Sequence, residues 1–295
     1  MKKKISFKNI LNWLLMLFLV LLFCYLCFSD NGLIDLIKSS KGFNKSWLST
    51  AFLCQIINLA IDTYLVYRFT HNMDKNYKFK NSIRVAMIGQ FFSAVTPGSS
   101  GGQPMQVYAM SKQGIDAGLA TAALTQKFLV YQTVLTAYSL IAILLRFEYF
   151  NSLNGIVWTI ALTGFIIQAL VIAALLLFSF SKKLTHKIIV IIFVLLEKIH
   201  IIKNADEKIK SIDSQLIIFH NSNKFLYKNK YTVLETYVCT AVQLTATFLI
   251  PYCIYKSFYL SGQKVSDMIC AQAFVSMSSG FVPIPGASAV RGYLL

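Results

Sequence analysis

The feature that most constrains this chain is a set of five apolar stretches, each long enough to cross a lipid bilayer as a helix. About 20 apolar residues suffice for one crossing, because a helix rises about 1.5 Å per residue through a hydrocarbon core of about 30 Å. The stretches cover residues 10–29, 47–68, 118–145, 155–180 and 232–258. They predict an all-α polytopic membrane protein, since a helix satisfies its own backbone polar groups in lipid.

Composition supports this class and excludes others. Hydrophobic residues make up 56% of the chain and charged residues 14%, whereas a soluble domain carries about 25% charged residues. Polar groups are therefore too scarce to cover a soluble globule, which excludes a soluble enzyme, a disordered tail and a disulfide-stapled secreted module. The run at 10–29 lacks a small-residue cleavage site, so we expect a retained first helix and not a signal peptide.

Two further apolar stretches, 85–111 and 268–290, are interrupted by proline and glycine. In the first, eleven residues from Val85 to Val95 precede two prolines and three glycines that do not continue a helix. In hydrocarbon, such backbone is tolerated only where protein or a wet cavity satisfies its polar groups. The breaks are predicted at Pro97, Gly98, Gly101, Gly102 and Pro104, and at Pro283, Pro285 and Gly286.

Basic residues indicate how the chain crosses the membrane. The net charge is +16, and most basic residues lie at 2–4, in the loop 69–84 and in segment 181–231, which holds ten lysines. Cytoplasmic loops are enriched in Lys and Arg, so the N-terminus and both segments are predicted inside. All three lie inside only if 85–111 enters the membrane and returns to the same side. We therefore predict a re-entrant element there, and a second at 268–290 that enters from the opposite face.

Two broken elements of opposite entry are typical of inverted-repeat transporters, which bind substrate between them. Residues 94–100 and 282–288 share an apolar approach, a Pro-Gly break and small residues after it, which favours such a repeat. The alternative is two unrelated Pro-Gly breaks. The expected architecture is therefore five spanning helices and two broken re-entrant elements within a single domain, 1–295.

Segment 181–231 is predicted to be a basic cytoplasmic insert in this domain. It alternates basic and apolar patches, and the patch at 188–196 is too short to span. One interpretation is an amphipathic helix that lies on the inner leaflet and is attracted by anionic lipid. The other is that its lysines only mark the cytoplasmic side.

Polar residues inside the spans are the candidates for function. Gln55, Asn58 and Asp62 fall at i, i+3 and i+7, on one face of the second stretch. Asp62 is a candidate to pair with a cation, carry a proton or face a lysyl headgroup. The alternative is a structural ion pair with Lys127 or Arg84. Lys127 itself either holds a phosphate or extends to the inner interface.

No motif predicts catalysis or a metal site, and we expect neither a metal nor another cofactor. Glu235 lies at the inner end of its span and is predicted to be interfacial. The pair Cys24 and Cys27 is interpreted as small apolar filler in a helix, because no cysteine or histidine cluster accompanies it. The small residues at 97–103 present backbone N–H groups suited to an anion, although the Gly-Lys-Ser/Thr ending of a P-loop is absent.

Four short segments carry a resemblance to a known family: residues 89–92, 96–108, 113–115 and 281–288. The sequence from Thr96 through Tyr108, with its Pro-Gly and Gly-Gly pairs, is the most specific of them. It resembles the signature of the lysylphosphatidylglycerol synthase transmembrane family. This is the flippase-like membrane domain of the multiple peptide resistance factor, also called phosphatidylglycerol lysyltransferase. The resemblance extends over essentially the whole chain.

The resemblance implies a function in lipid translocation. In that family a soluble domain transfers lysine from lysyl-tRNA to phosphatidylglycerol, and the membrane domain is held to move the cationic lipid outward. This chain resembles members that consist of the membrane domain alone. The implied role is translocation of lysylphosphatidylglycerol across the bacterial plasma membrane, contributing to resistance against cationic antimicrobial peptides. The alternatives are a lysyl-tRNA-dependent lysyltransferase and a non-transporting scaffold.

The resemblance also implies partners, and the chain departs from the family at several positions. Implied partners are anionic and aminoacylated phospholipids, a separate synthase domain or lysyl-tRNA, and a second copy of the chain in a homo-oligomer. Acidic residues and arginines common in the family are replaced by Gln103, Gln106, Gln126-Lys127 and Arg291. The chain stops at Leu295 within an apolar run, so we expect a truncated C-terminus. The expected lipid-binding residues are Gln55, Asn58, Asp62, Gln103, Gln106, Lys127 and Arg291.

Overall fold

The computed structural model describes residues 42–96, 99–146, 155–198, 205–228 and 230–279, and the regular structure in these ranges is helical. We number the helices α1 to α9 in chain order. They are α1 Lys45–Met73, α2 Phe79–Val95, α3 Gly102–Ser111, α4 Ala117–Leu145, α5 Gly155–Phe180, α6 Lys182–Lys198, α7 Ala205–Lys228, α8 Lys230–Ser257 and α9 Val265–Ser279.

Four of the described helices are long and apolar enough to cross a membrane: α1, α4, the part of α5 from Thr163 to Phe180, and α8. They coincide with four of the five predicted spans, and the remaining one, 10–29, lies outside the described residues. The all-α polytopic fold class is therefore confirmed. Exposed leucines on these helices, such as Leu53, Leu144 and Leu170, face outward as lipid-contacting residues do.

Helix α4 is the centre of the bundle and contacts α1, α3, α5, α7, α8 and α9. Its buried face includes Ala120, Ala122 and Ala123. Such small side chains let neighbouring helix backbones approach closely, which is the main source of helix association in lipid. About two turns further along α4, larger residues such as Val130 and Val134 fill the core against α1, α8 and α9.

Helices α1 and α8 form an antiparallel pair that is tied together at one end. The side chain of Asn44 caps α1 by accepting hydrogen bonds from the first-turn amides. The Asn44 backbone N–H donates to the last carbonyl of α8, on Ser257, at 2.8 Å. Beside it, Trp47 packs edge-to-face on Tyr252 with ring centroids 5.8 Å apart. Aromatic residues of this kind are typical of helix ends at a membrane–water interface.

The segment 79–111 doubles back, as the sequence predicts. Helices α2 and α3 lie side by side, and Gln106 Nε2 of α3 donates to the carbonyl of Val85 at 3.3 Å. Nearer the hairpin ends, Gln113 Nε2 donates to the carbonyl of Asn81 at 3.4 Å. The chain therefore leaves this segment at the end where it entered.

The break between α2 and α3 is shorter than the sequence predicts. Thr96 ends α2, and its hydroxyl accepts a hydrogen bond from the Gly101 N–H at 2.9 Å. Gly102 and Pro104, predicted as breaks, instead lie in the first turn of α3. A proline fits there because the N–H it lacks has no helical partner in a first turn. The remaining predicted breaks, Pro97, Gly98, Pro283, Pro285 and Gly286, lie outside the described residues.

Doubling back brings the basic segments to one end of the bundle. The loops that follow α1 and α3 lie at that end. Helices α6 and α7, which connect α5 to α8, lie there too. At the opposite end, Arg146 after α4 forms an ion pair with Asp267 of α9 at 2.9 Å. The common location of 69–84 and 181–231 is what the positive-inside argument requires.

In segment 181–231 the structure describes two helices, α6 and α7, where one of the two interpretations was a single helix on the inner leaflet. Helix α6 exposes Ile188, Ile191 and Val194, an apolar stripe beside its lysines. Helix α7 packs on α4 and buries Phe219 and Asn223. The difference arises because α7 carries polar and aromatic side chains that find partners in the bundle, so burial there competes with contact to the membrane surface.

Helices α7 and α4 approach each other closely at Gly118. Its N–H donates to Gln215 Oε1 at 2.8 Å, and a Cβ at this position would overlap the carbonyl group of Gln215. A backbone carbonyl within a helix moves only with the helix, so the two helices would have to separate.

We expect Gly118→Ala to destabilise the protein by about 1–3 kcal/mol through overpacking, despite the better helix propensity of alanine. The measurement is the Tm of the purified chain in detergent micelles, followed by circular dichroism. The control is Thr121→Ala at the surface of α4, where the hydroxyl bonds only to its own helix. A wild-type Tm for Gly118→Ala would contradict the tight α4–α7 contact.

Candidate functional site

A buried ion pair joins α1 to α4 inside the spans. Lys127 Nζ lies 2.6 Å from Asp62 Oδ1, and the two side chains are only 16% and 13% exposed. Of the two ion-pair partners considered for Asp62, the structure places Lys127 beside it and not Arg84. Lys127 therefore points to the carboxylate of α1 and does not extend to the interface. Each charge is neutralised by the other, which allows both to be buried.

A second polar contact lies one turn along α1 from Asp62. Gln243 Nε2 of α8 donates to Asn58 Oδ1 at 2.9 Å, and Gln243 is buried. Gln55, the third member of the predicted stripe, is exposed and does not join them. The predicted stripe is thus divided: Asn58 and Asp62 face neighbouring helices, and Gln55 faces outward.

Toward the basic end of the bundle, α1 and α8 share a cluster of polar side chains. Arg68 Nε lies 2.9 Å from Glu235 Oε2, and the Tyr64 hydroxyl donates to the other carboxylate oxygen. Arg68 Nη1 also donates to Asn72 Oδ1 at 2.6 Å. Asn72 Nδ2 in turn donates to the Thr232 hydroxyl at 3.2 Å.

Sequence reasoning placed Glu235 only as an interfacial residue and did not select Arg68. The usable signal was two ionisable residues of opposite sign near the same ends of two spans. Their pairing depends on α1 and α8 being antiparallel neighbours, which no local pattern indicates.

Behind Lys127, a buried amide pair connects α4 to α7. Gln126 Nε2 donates to Asn223 Oδ1 at 2.9 Å, and Asn223 Nδ2 lies 3.4 Å from the carbonyl of Ser179 at the end of α5. Gln126 also borders a crevice between α1, α4 and α8. The crevice is lined by Phe69, Gln126, Leu129, Val130, Thr232, Val233, Thr236 and Tyr237.

The remaining predicted binding residues do not join these contacts. Gln106 is buried, and its amide holds α3 against the carbonyl of Val85 in α2, a role in the hairpin. Gln103 is exposed in the first turn of α3. Arg291 lies outside the described residues. Among the described residues, no three His, Cys, Asp or Glu side chains are grouped so as to hold a metal ion.

The two ion pairs place charges of both signs along α1. Along α1, Asp62 and Arg68 lie six residues apart, or about 9 Å of helix rise. Asp62 is paired with a cation of α4, and Arg68 with an anion of α8. The polar groups thus form a neutral seam along the half of α1 nearer the basic end.

In the part of the chain that the structure describes, an all-helical bundle with four candidate spans and ion pairs held between them defines a polytopic membrane protein with a polar interior. Comparison with known proteins then identifies its family: the chain belongs to the lysylphosphatidylglycerol synthase TM region family, whose model matches residues 10–294. It is also similar to a UPF0104 membrane protein of Archaeoglobus fulgidus, with 23% identity over 259 residues covering 81% of this chain and 74% of the relative. No solved structure matches the chain.

The buried ion pair generates a stability prediction with an internal control. Asp62→Leu leaves Lys127 charged and unpaired, and we expect a loss of about 3–5 kcal/mol. The double variant Asp62→Leu/Lys127→Met replaces both charges with apolar groups and should recover most of that loss, because no unpaired charge remains. The measurement is Tm in detergent micelles for the wild type, both single variants and the double variant. Additive losses in the double variant would contradict a direct pair.

Proposed function

We propose that this chain binds and translocates a phospholipid with an aminoacylated headgroup, such as lysylphosphatidylglycerol. The family assignment supports a lysylphosphatidylglycerol synthase-related membrane domain. The observation that carries the proposal beyond the family is the Asp62–Lys127 pair, because ionisable groups buried between spans usually mark a substrate path.

The charges of this pair complement the proposed headgroup. Lysylphosphatidylglycerol carries one phosphate and two ammonium groups. When it enters, Asp62 exchanges Lys127 for a lipid ammonium, and Lys127 takes the phosphate. The exchange keeps both protein charges paired, which avoids the several kcal/mol that an uncompensated buried ion costs, and the second lipid ammonium takes no part in it. The Asn58–Gln243 amides continue the path for polar groups of the headgroup toward the middle of the spans.

Movement across the membrane is proposed to occur by alternating access. In this proposal the sequence breaks at Pro97-Gly98 and Pro285-Gly286, which lie outside the described residues, give two elements that open the cavity toward opposite faces. The doubled-back α2 and α3 support this role for the first element. Backbone N–H groups near Ser99 assist Lys127 in holding phosphate.

The proposed setting is the bacterial plasma membrane, with the N-terminus and the basic end of the bundle in the cytoplasm. Outward movement of a cationic lipid lowers the negative charge of the outer leaflet. Cationic antimicrobial peptides bind anionic surfaces by electrostatic attraction, so translocation contributes to resistance against them. The lysyl-lipid itself is supplied by a separate synthase domain.

The experiment expresses the chain alone and together with a lysylphosphatidylglycerol synthase in a host that lacks this lipid. Total lysylphosphatidylglycerol and its outer-leaflet fraction are measured, the latter by an amine-reactive reagent that does not cross the membrane. We expect no lipid from the chain alone, and a several-fold higher outer-leaflet fraction when both are present. New lipid without a synthase would identify a lysyltransferase instead, and no change in either quantity would favour a scaffold.

Variants of the buried pair test the residues assigned to the path. Asp62→Asn should reduce the outer-leaflet fraction to that of synthase alone, because an amide does not balance a lipid ammonium. Asp62→Leu/Lys127→Met should be equally inactive although its stability is restored. The matched control is Asp267→Asn in the ion pair at the opposite end, which should transport as wild type. Full exposure of lipid in Asp62→Asn would remove this residue from the path.

A further inference from the structure

The Arg68–Glu235 pair differs from the Asp62–Lys127 pair in where it faces. Its side chains are 26% and 35% exposed, about twice the exposure of the other pair. Beside Glu235 on α8, Leu234, Val238 and Val242 form an exposed apolar stripe at i, i+4 and i+8. Such a stripe contacts lipid, so the ion pair lies at the lipid-facing side of the seam between α1 and α8.

The cluster lies near the ends of α1 and α8 at the basic end of the bundle. Glu235 is five residues from the first residue of α8, and Arg68 is five residues from the last residue of α1. Both are therefore about 8 Å along the helix from the basic end of the bundle. A lipid beside α1 and α8 places its phosphate at this level and its acyl chains along the exposed apolar stripe.

The chemistry of the cluster fits a headgroup with both charges. Arginine binds phosphate well because its planar guanidinium offers five N–H donors. Among the described residues, Arg68 uses donors on Nε and Nη1, toward Glu235 and Asn72. The Glu235 carboxylate accepts from the Tyr64 hydroxyl and provides the anion for an ammonium group.

We propose that Tyr64, Arg68 and Glu235 form a docking site for the headgroup of an aminoacylated glycerophospholipid in the leaflet at the basic end. The phosphate binds Arg68, and the ammonium binds Glu235. The proposal rests on the proposed function and adds the point at which the lipid leaves the bilayer for the bundle. From this site, about 9 Å along α1, the Asp62–Lys127 pair presents the same two charges in a buried setting.

Binding to purified full-length chain tests the site without requiring transport. The chain is titrated in detergent micelles with lysylphosphatidylglycerol, phosphatidylglycerol or phosphatidylcholine, and bound lipid is counted by native mass spectrometry. We expect Arg68→Gln to weaken binding of lysylphosphatidylglycerol and of phosphatidylglycerol by about tenfold or more, which is the effect of one lost charged hydrogen bond. Glu235→Gln should weaken binding of lysylphosphatidylglycerol to a similar extent. Binding of phosphatidylglycerol should be unchanged or tighter, because only lysylphosphatidylglycerol carries an ammonium.

The matched control is Arg146→Gln, which breaks an ion pair of the same 2.9 Å length at the opposite end. It should bind all three lipids as wild type does. Glu235→Gln keeps the shape of the side chain, and the Tyr64 hydroxyl can donate to its amide oxygen, so this variant addresses the site even if Arg68→Gln folds poorly. Tm values for each variant show whether a loss of binding follows a loss of structure.

The outcomes separate this site from the proposed function. Headgroup-selective loss in Glu235→Gln, with wild-type binding in Arg146→Gln, supports the site whether or not Asp62→Asn alters lipid exposure. Unchanged binding in both Arg68→Gln and Glu235→Gln overturns the site and leaves translocation to be judged by the Asp62 variants. Equal losses of phosphatidylglycerol and lysylphosphatidylglycerol binding in Glu235→Gln also overturn it, because phosphatidylglycerol carries no ammonium and such losses indicate a structural defect and not headgroup recognition.

Discussion

The rest of the structure depends on the requirement that a charge buried between membrane helices be paired. Asp62 and Lys127 meet this requirement for each other at 2.6 Å, and in doing so they fix the rotation of α1 against α4 about their long axes. Arg68 and Glu235 do the same for α1 against α8. Because α4 also contacts most of the other described helices, these two pairs orient the bundle as a whole.

Polar contacts of this kind are also the means by which such a bundle can change state. Apolar packing between helices gains little from exclusion of water in a bilayer, so helix positions depend on close packing and on a few polar contacts. In the proposed function a ligand of both signs opens such an ion pair, and this would couple ligand binding to helix separation. Helix α7 reaches the same region through the Gln126–Asn223 pair, next to Lys127, and thereby connects the basic end of the bundle to its polar interior.

Much of the fold follows from one-dimensional properties of the chain. Four of the predicted spans appear as described helices with nearly the predicted bounds, because length and hydropathy decide whether a helix crosses a bilayer. The doubling back of 85–111 was predicted from its proline and glycine break together with the distribution of basic residues, and the α2–α3 contacts confirm it. The error at Gly102 and Pro104 was local: residue types that break a helix interior are compatible with its first turn.

The sequence by itself determined the class of protein, the four described spans, the α2–α3 hairpin and the family, since each depends on composition, length or a contiguous motif. Only the tertiary structure decided which polar residues meet. It paired Asp62 with Lys127, added Arg68 and Glu235, assigned Gln106 to the hairpin and left Gln55 exposed. The physical reason is that a pairing between helices depends on their relative rotation and direction, which are set by packing over the whole bundle and are encoded in no single segment.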